Sequence, residues 1–258
     1  MPEVTRAAEA GQALGATRWG TAEIVLKVKG LTAGYGGPPI ISEVDCEARA
    51  GAITAIVGPN GAGKSTLIKA ILGSIKVTAG SILLRGEEVV GTSPERLVRK
   101  GIACVPQVAN VFPSLSVYEN LEMGGYVRHH GVKERAEELC QMFPDLKLAL
   151  KRPAGTLSGG QRNMLAMARG LMVDPAVLLL DEPTAGLAPR FVDTVWEHVL
   201  VVRDSGVAVL VVEQNTRRTL KYADWAYVMT QGRNHLEGTG LDLLDDEEVV
   251  NLYIGKTR

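Results

Sequence analysis

Residues Gly58-Pro59-Asn60-Gly61-Ala62-Gly63-Lys64-Ser65-Thr66 fit the pattern G-x-x-x-x-G-K-[ST]. Average residue usage produces it by chance in roughly one chain in a hundred of this length. The context narrows it further. Ala52 to Val57 is apolar and β-branched and lies between Gly51 and Gly58, which predicts a buried strand. Ser65 to Leu72 predicts a helix. Glycines between the two let the backbone curl until successive N–H groups face a phosphate chain. The helix start adds the positive end of its dipole. In this pattern Lys64 reaches the β- and γ-phosphates and Ser65 ligates Mg2+.

A second acidic feature fits the first. Val177-Leu178-Leu179-Leu180-Asp181-Glu182 is an apolar strand ending in two carboxylates. An Asp at the carboxyl end of a strand borders the crevice of an open α/β sheet, where it can hold Mg2+ through water. The next residue points elsewhere, so Glu182 can polarise an attacking water. The strands Ile24–Val28, Ile102–Val105, Val207–Val212 and Trp225–Met229 alternate with helices, which predicts an α/β sheet with crossover connections. The stretch from about 93 to 172 is mostly helical and reads as an inserted subdomain.

Composition removes other classes. In 258 residues, 46% apolar and 22% charged, whole-chain disorder is excluded. A net charge of −1 supplies no field for nucleic acid, and none is expected as a partner. Three distant cysteines, Cys46, Cys104 and Cys140, form no disulfide framework and point to a reducing compartment. No apolar run approaches the ~18–20 residues of a membrane span. Residues 1–21 carry no apolar core of a secretory signal and read as a disordered extension. Any work at a membrane would pass through a partner.

Leu157-Ser158-Gly159-Gly160-Gln161 opens another helix. Ser and two glycines there make a second anion-binding terminus. One subunit has no evident need of two phosphate clamps, whereas a dimer sharing each nucleotide does. With the loop at 58–66 and the Asp181-Glu182 pair, this string resembles the ATP-binding subunits of ABC transporters over roughly residues 22 to 258. The resemblance implies an α/β P-loop NTPase fold with a RecA-like core sheet, an antiparallel N-terminal β-subdomain and an inserted helical signature subdomain. It implies ATP and Mg2+ as ligands and ATP hydrolysis coupled to transmembrane solute transport. Tyr35 stands where the family stacks an aromatic on adenine, and Gln107 where a glutamine approaches Mg2+ and the attacking water. Ser158, Gly159, Gly160 and Gln161 would clamp the nucleotide of the partner. Val111 to Val117 lies near the groove that receives a cytoplasmic helix of the membrane subunit, although its apolar residues fit subdomain core equally well. The implied partners are a second ATP-binding subunit, two permeases and, indirectly, a solute-binding protein, with the chain peripheral on the cytoplasmic face.

Two positions depart from the common family pattern. Gln214 replaces a switch histidine and Ala188 replaces an aspartate. A Gln amide can donate to the γ-phosphate but cannot relay a proton. Both departures, with Phe143-Pro144, Ala154 to Gln161, Asp181 to Pro189 and Val212 to Asn215, resemble the second ATP-binding subunit of branched-chain amino acid importers. Urea and short-chain amide importers share these strings. A soluble, non-transport ATPase of the same family is a further alternative.

Overall fold

Alternation along three apolar strands divides the interior. In β3 (Ile53–Val57), β7 (Val177–Asp181) and β8 (Ala208–Glu213), neighbouring side chains point to opposite faces of one sheet. Ile53, Ala55, Val57, Leu178, Leu180, Val209 and Val211 join one apolar core. Ile56, Val177, Leu179, Ala208, Leu210 and Val212 join another. A strand buried on both faces is a nearly continuous apolar run, and here only Thr54 and the strand-end Asp181 and Glu213 interrupt it.

The computed structural model describes residues 18–108 and 110–254. Its larger sheet has six strands in the order β10-β9-β3-β8-β7-β6, adding β6 (Ile102–Val105), β9 (Trp225–Thr230) and β10 (Arg233–Gly238). All neighbours are parallel except β10, which runs antiparallel to β9. A smaller antiparallel sheet, β2-β1-β4-β5, is formed by β1 (Ile24–Gly34), β2 (Ile41–Arg49), β4 (Lys76–Leu84) and β5 (Glu87–Glu88). Helix α1 (Lys64–Ile71) packs its Leu67, Ile68 and Ile71 into the core shared by the two sheets. The other face is covered by α3 (Val117–Gly124), α4 (Val132–Met142), α5 (Pro144–Ala149), α6 (Gly159–Leu171) and α7 (Pro189–Asp204). Short helices α2 (Pro94–Lys100), α8 (Thr216–Leu220), α9 (Gly240–Leu244) and α10 (Glu247–Ile254) complete the chain. No described helix is long and apolar enough to cross a membrane.

Ile102–Val105, read as a strand inside the mostly helical stretch 93–172, pairs in parallel with Val177–Leu180 and belongs to the main sheet. The segment read as an extension divides at residue 18. Residues 1–17 lie outside the described residues, whereas 18–21 form a helical turn. Trp19, only 7% exposed, stacks on Trp225 with centroids 5.5 Å apart. The Arg49 guanidinium lies over the Trp19 ring and donates to its carbonyl at 2.8 Å. An indole can release its large apolar surface from water even beside a terminus, and composition alone does not reveal that.

Candidate active site

The strand-to-helix turn at 58–63 is held by close backbone approaches. A Cβ at Gly58 would lie 2.3 Å from the Met229 carbonyl oxygen, so no larger residue fits without displacement. Gly63 caps α1 with φ 98°, a left-handed conformation that glycine adopts without strain. Leu67 N–H makes the first bond of the helix, to the Gly63 carbonyl. The amides of Lys64, Ser65 and Thr66 therefore have no acceptor within the helix and open an anion-receptive end.

Lys64 is 5% exposed and donates to the carbonyls of Gly58 at 2.8 Å and Pro59 at 3.1 Å. Burial holds its ammonium below the usual lysine range, while the carboxylates of Glu182, Asp181 and Glu213 oppose that shift. Ser65 Oγ donates to Asp181 Oδ1 at 3.1 Å. Asp181 ends β7, next to the loop, as its strand position predicts. Gln107 follows β6 and donates from Nε2 to Glu182 Oε2 at 3.1 Å. Glu182 has φ 46°, a conformation uncommon for a residue with a Cβ. Such strain gathers at functional positions.

The loop opens on a cleft of about 190 Å3 lined by Ile40, Asn60, Gly61, Gly63, Lys64, Ser65, Thr66 and Glu182. That is below the ~300–1000 Å3 of a pocket that encloses a whole ligand. The cleft suits a phosphate chain, with the rest of the molecule lying outside. Tyr35, 59% exposed, does not line the cleft, and its hydroxyl accepts from Lys69 Nζ at 3.2 Å. A second cleft of about 390 Å3 adjoins the first through Glu182 and is lined also by Thr184, Glu213 and Gln214.

Oxygen donors fit a hard divalent cation. A serine hydroxyl and an Asp carboxylate in contact, with the Gln107 amide nearby on Glu182, are the few protein ligands Mg2+ takes beside substrate phosphates.

The serine-glycine string stands apart from this cluster. Ser158 caps α6: its Oγ accepts from Gln161 N at 3.2 Å, and Gln161 Oε1 accepts from Ser158 N at 3.1 Å. Gly159 and Gly160 face Leu187 and Phe191. None of Ser158 to Gln161 lines either cleft. The structure thus unites Lys64, Ser65, Gln107, Asp181 and Glu182, places Gln214 beside them, and leaves Ser158 to Gln161 outside both clefts. Ala188 is the N-cap of α7 and makes no side-chain cap bond. An Asp there would supply the missing acceptor, a contribution of about 0.5–2 kcal/mol.

Two site residues escaped the sequence reading. Asn163 on α6 donates to the Pro183 carbonyl at 3.0 Å and accepts from Asn110 Nδ2 at 3.2 Å, tying the signature helix to the turns behind Glu182 and Gln107. Glu213, 2% exposed, accepts from Thr184 N, Thr184 Oγ1 and Gln214 N. A carboxylate at an apolar strand end was the one available signal for Glu213, and nothing in the sequence marked Asn163.

Comparison with known proteins agrees with this geometry. A family model described as ABC transporter matches residues 41–185. The chain is 43% identical over 233 residues, 90% of its length and 99% of the other, to the probable branched-chain amino acid transport ATP-binding protein LivF of Archaeoglobus fulgidus. It is 42% identical, over 86% of its length and 95% of the other, to the high-affinity branched-chain amino acid transport ATP-binding protein BraG of Pseudomonas aeruginosa. The crystal structure of the ADP conformation of an ATP-binding cassette of an ABC transporter superposes with a TM-score of 0.81 at 29% identity, covering 91% of this chain and all of that one. A phosphate loop, an acidic pair at a strand end and a detached second clamp, together with these likenesses over most of the chain, make it a member of the ATP-binding subunits of ABC transporters.

Proposed function

We propose that the chain energises an importer for branched-chain amino acids, working on the cytoplasmic face beside two permeases and opposite a second, different cassette. The observation that carries the solute class is the near-full-length identity of 43% and 42% to subunits named for that transport. Gln214 and Ala188 support the same branch.

Each residue then has a task. The amides of Gly61, Gly63, Lys64, Ser65 and Thr66 hold the phosphates, with Gly58, Pro59, Asn60 and Ala62 shaping the turn through the Ala62 N–H to Pro59 carbonyl bond at 3.2 Å. Lys64 leaves its two loop carbonyls to meet the terminal ones. Tyr35 stacks on the adenine. Ser65, Asp181 and Gln107 hold Mg2+, which when bound neutralises phosphate charge. Glu182 accepts a proton from the attacking water, and Gln214 donates to the γ-phosphate. Ser158, Gly159, Gly160 and Gln161 of the opposed cassette close the cleft from outside. The main catalytic effects are positioning and electrostatics.

Vesicles holding the two permeases, with both cassettes outside and the solute-binding protein inside, test this reading. ATP added outside should drive loss of trapped leucine from the binding-protein side. ATP-driven movement of urea or short amides in its place would reassign the solute, and no ATP-dependent movement would remove the importer reading.

Gln214→His should raise phosphate release by up to about tenfold if the missing imidazole limits turnover, a small part of the ~10²–10⁴ that general acid–base groups contribute. Steady-state hydrolysis by the purified protein measures it. An unchanged rate would place the limit elsewhere.

A further inference from the structure

Glu213 ends the central strand β8 and has no role in the reading given so far. Its carboxylate spans two loops. Oε1 accepts from Thr184 N at 2.9 Å and Thr184 Oγ1 at 2.7 Å, and Oε2 accepts from Gln214 N at 3.2 Å. Thr184 lies two residues beyond Glu182, whose own amide donates to the Val212 carbonyl at 2.9 Å. Ala185 N–H closes the turn on the Glu182 carbonyl at 3.0 Å. The strained turn that presents Glu182 is therefore fastened to the end of β8 on both sides of that residue.

We infer that Glu213 is a positioning residue: it fixes the distance between Glu182 and Gln214 by holding Thr184 and Gln214 on one carboxylate. This rests on the reading of Glu182 as the proton acceptor. A carboxylate buried in this way is costly unless its lone pairs are met, and here the donors that meet them all belong to the two loops it joins. An aliphatic residue would bury more cheaply at the end of an apolar strand but would remove the Thr184 tie, leaving the Glu182 N–H to Val212 carbonyl bond to hold that turn to β8. A misplacement of about 1 Å between reacting groups can cost ~10² in rate.

Glu213→Ala and Glu213→Gln in the full chain separate positioning from mere stability. Glu213→Ala should lower kcat by at least about tenfold while the affinity for ATP stays within about threefold, the sign of a contribution made in the transition state. In the nucleotide-free protein, hydrogen exchange at the amides of Thr184 and Gln214 should speed by about tenfold, reflecting their lost acceptor. Glu213→Gln keeps one acceptor oxygen and turns an amide toward the other loop, so it should fall between. It carries the test if the alanine variant does not fold. Unchanged exchange at both amides, with kcat within about twofold in the variants that fold, would overturn the inference. Glu182→Gln, measured alongside, isolates the other risk. If that variant hydrolyses ATP normally, the proton-acceptor reading fails while exchange still decides whether Glu213 ties the loops.

Discussion

Glu182→Gln should bind ATP as the parent chain does and hydrolyse it about 10²–10⁴-fold more slowly, the range a general base contributes. The substitution keeps shape and an acceptor oxygen for Gln107 Nε2, which now bonds Glu182 Oε2 at 3.1 Å. It leaves Lys64, Ser65 and Asp181 untouched, so phosphate binding has no reason to weaken. What it removes is a basic oxygen at the junction of the two clefts. With binding intact and hydrolysis blocked, the ATP-closed pair of cassettes should persist. Size-exclusion chromatography with ATP and the second cassette present should show a stable cassette pair for the variant and mainly separate subunits for the parent. Undiminished phosphate release would refute the role given to Glu182.

Lys64→Ala should weaken ATP binding by at least about 10²-fold. A hydrogen bond to a charged group contributes about 1.5–3 kcal/mol, and each 1.4 kcal/mol is tenfold in affinity. The true loss should reach the upper part of that span, because Asp181, Glu182 and Glu213 then face the phosphates with no lysine to offset them. The unliganded fold should hardly suffer. Burial already penalises this ammonium, and its partners are two loop carbonyls. Thermal melting separates the effects: an unliganded Tm close to the parent's, with the rise on adding ATP abolished. An undiminished rise would remove the loop from the site.

The parts legible in the sequence were those whose chemistry is local. Apolar runs gave β3, β7, β8 and β9 to within a residue or so, because a strand buried on both faces cannot hide its composition. Ser116 and Glu119 have capping-box spacing at the start of α3, and both reciprocal bonds are present. The edge strands β2 and β10 stayed silent. In β2 the alternation of Ile41, Val44, Cys46 and Ala48 is thrown out of step near Glu43, which has φ 54°. In β10 only Leu236 is a large apolar residue, since this edge is half open to solvent. Asn163 and Glu213 were illegible as site residues for a related reason. Their partners lie 20 to 53 residues away in Asn163's case and 29 for the Thr184 bond, so no spacing rule joins them. The Ser158 to Gln161 string is the reverse case. Its pattern was evident, yet none of it lines either cleft.

The backbone at Glu182 has a consequence for anyone who would harden this protein. Asparagine or glycine settles more comfortably than glutamate at φ 46°. Laboratory evolution rewarded for heat resistance alone would push position 182 toward them, and the survivors would be sturdy cassettes with a dead motor.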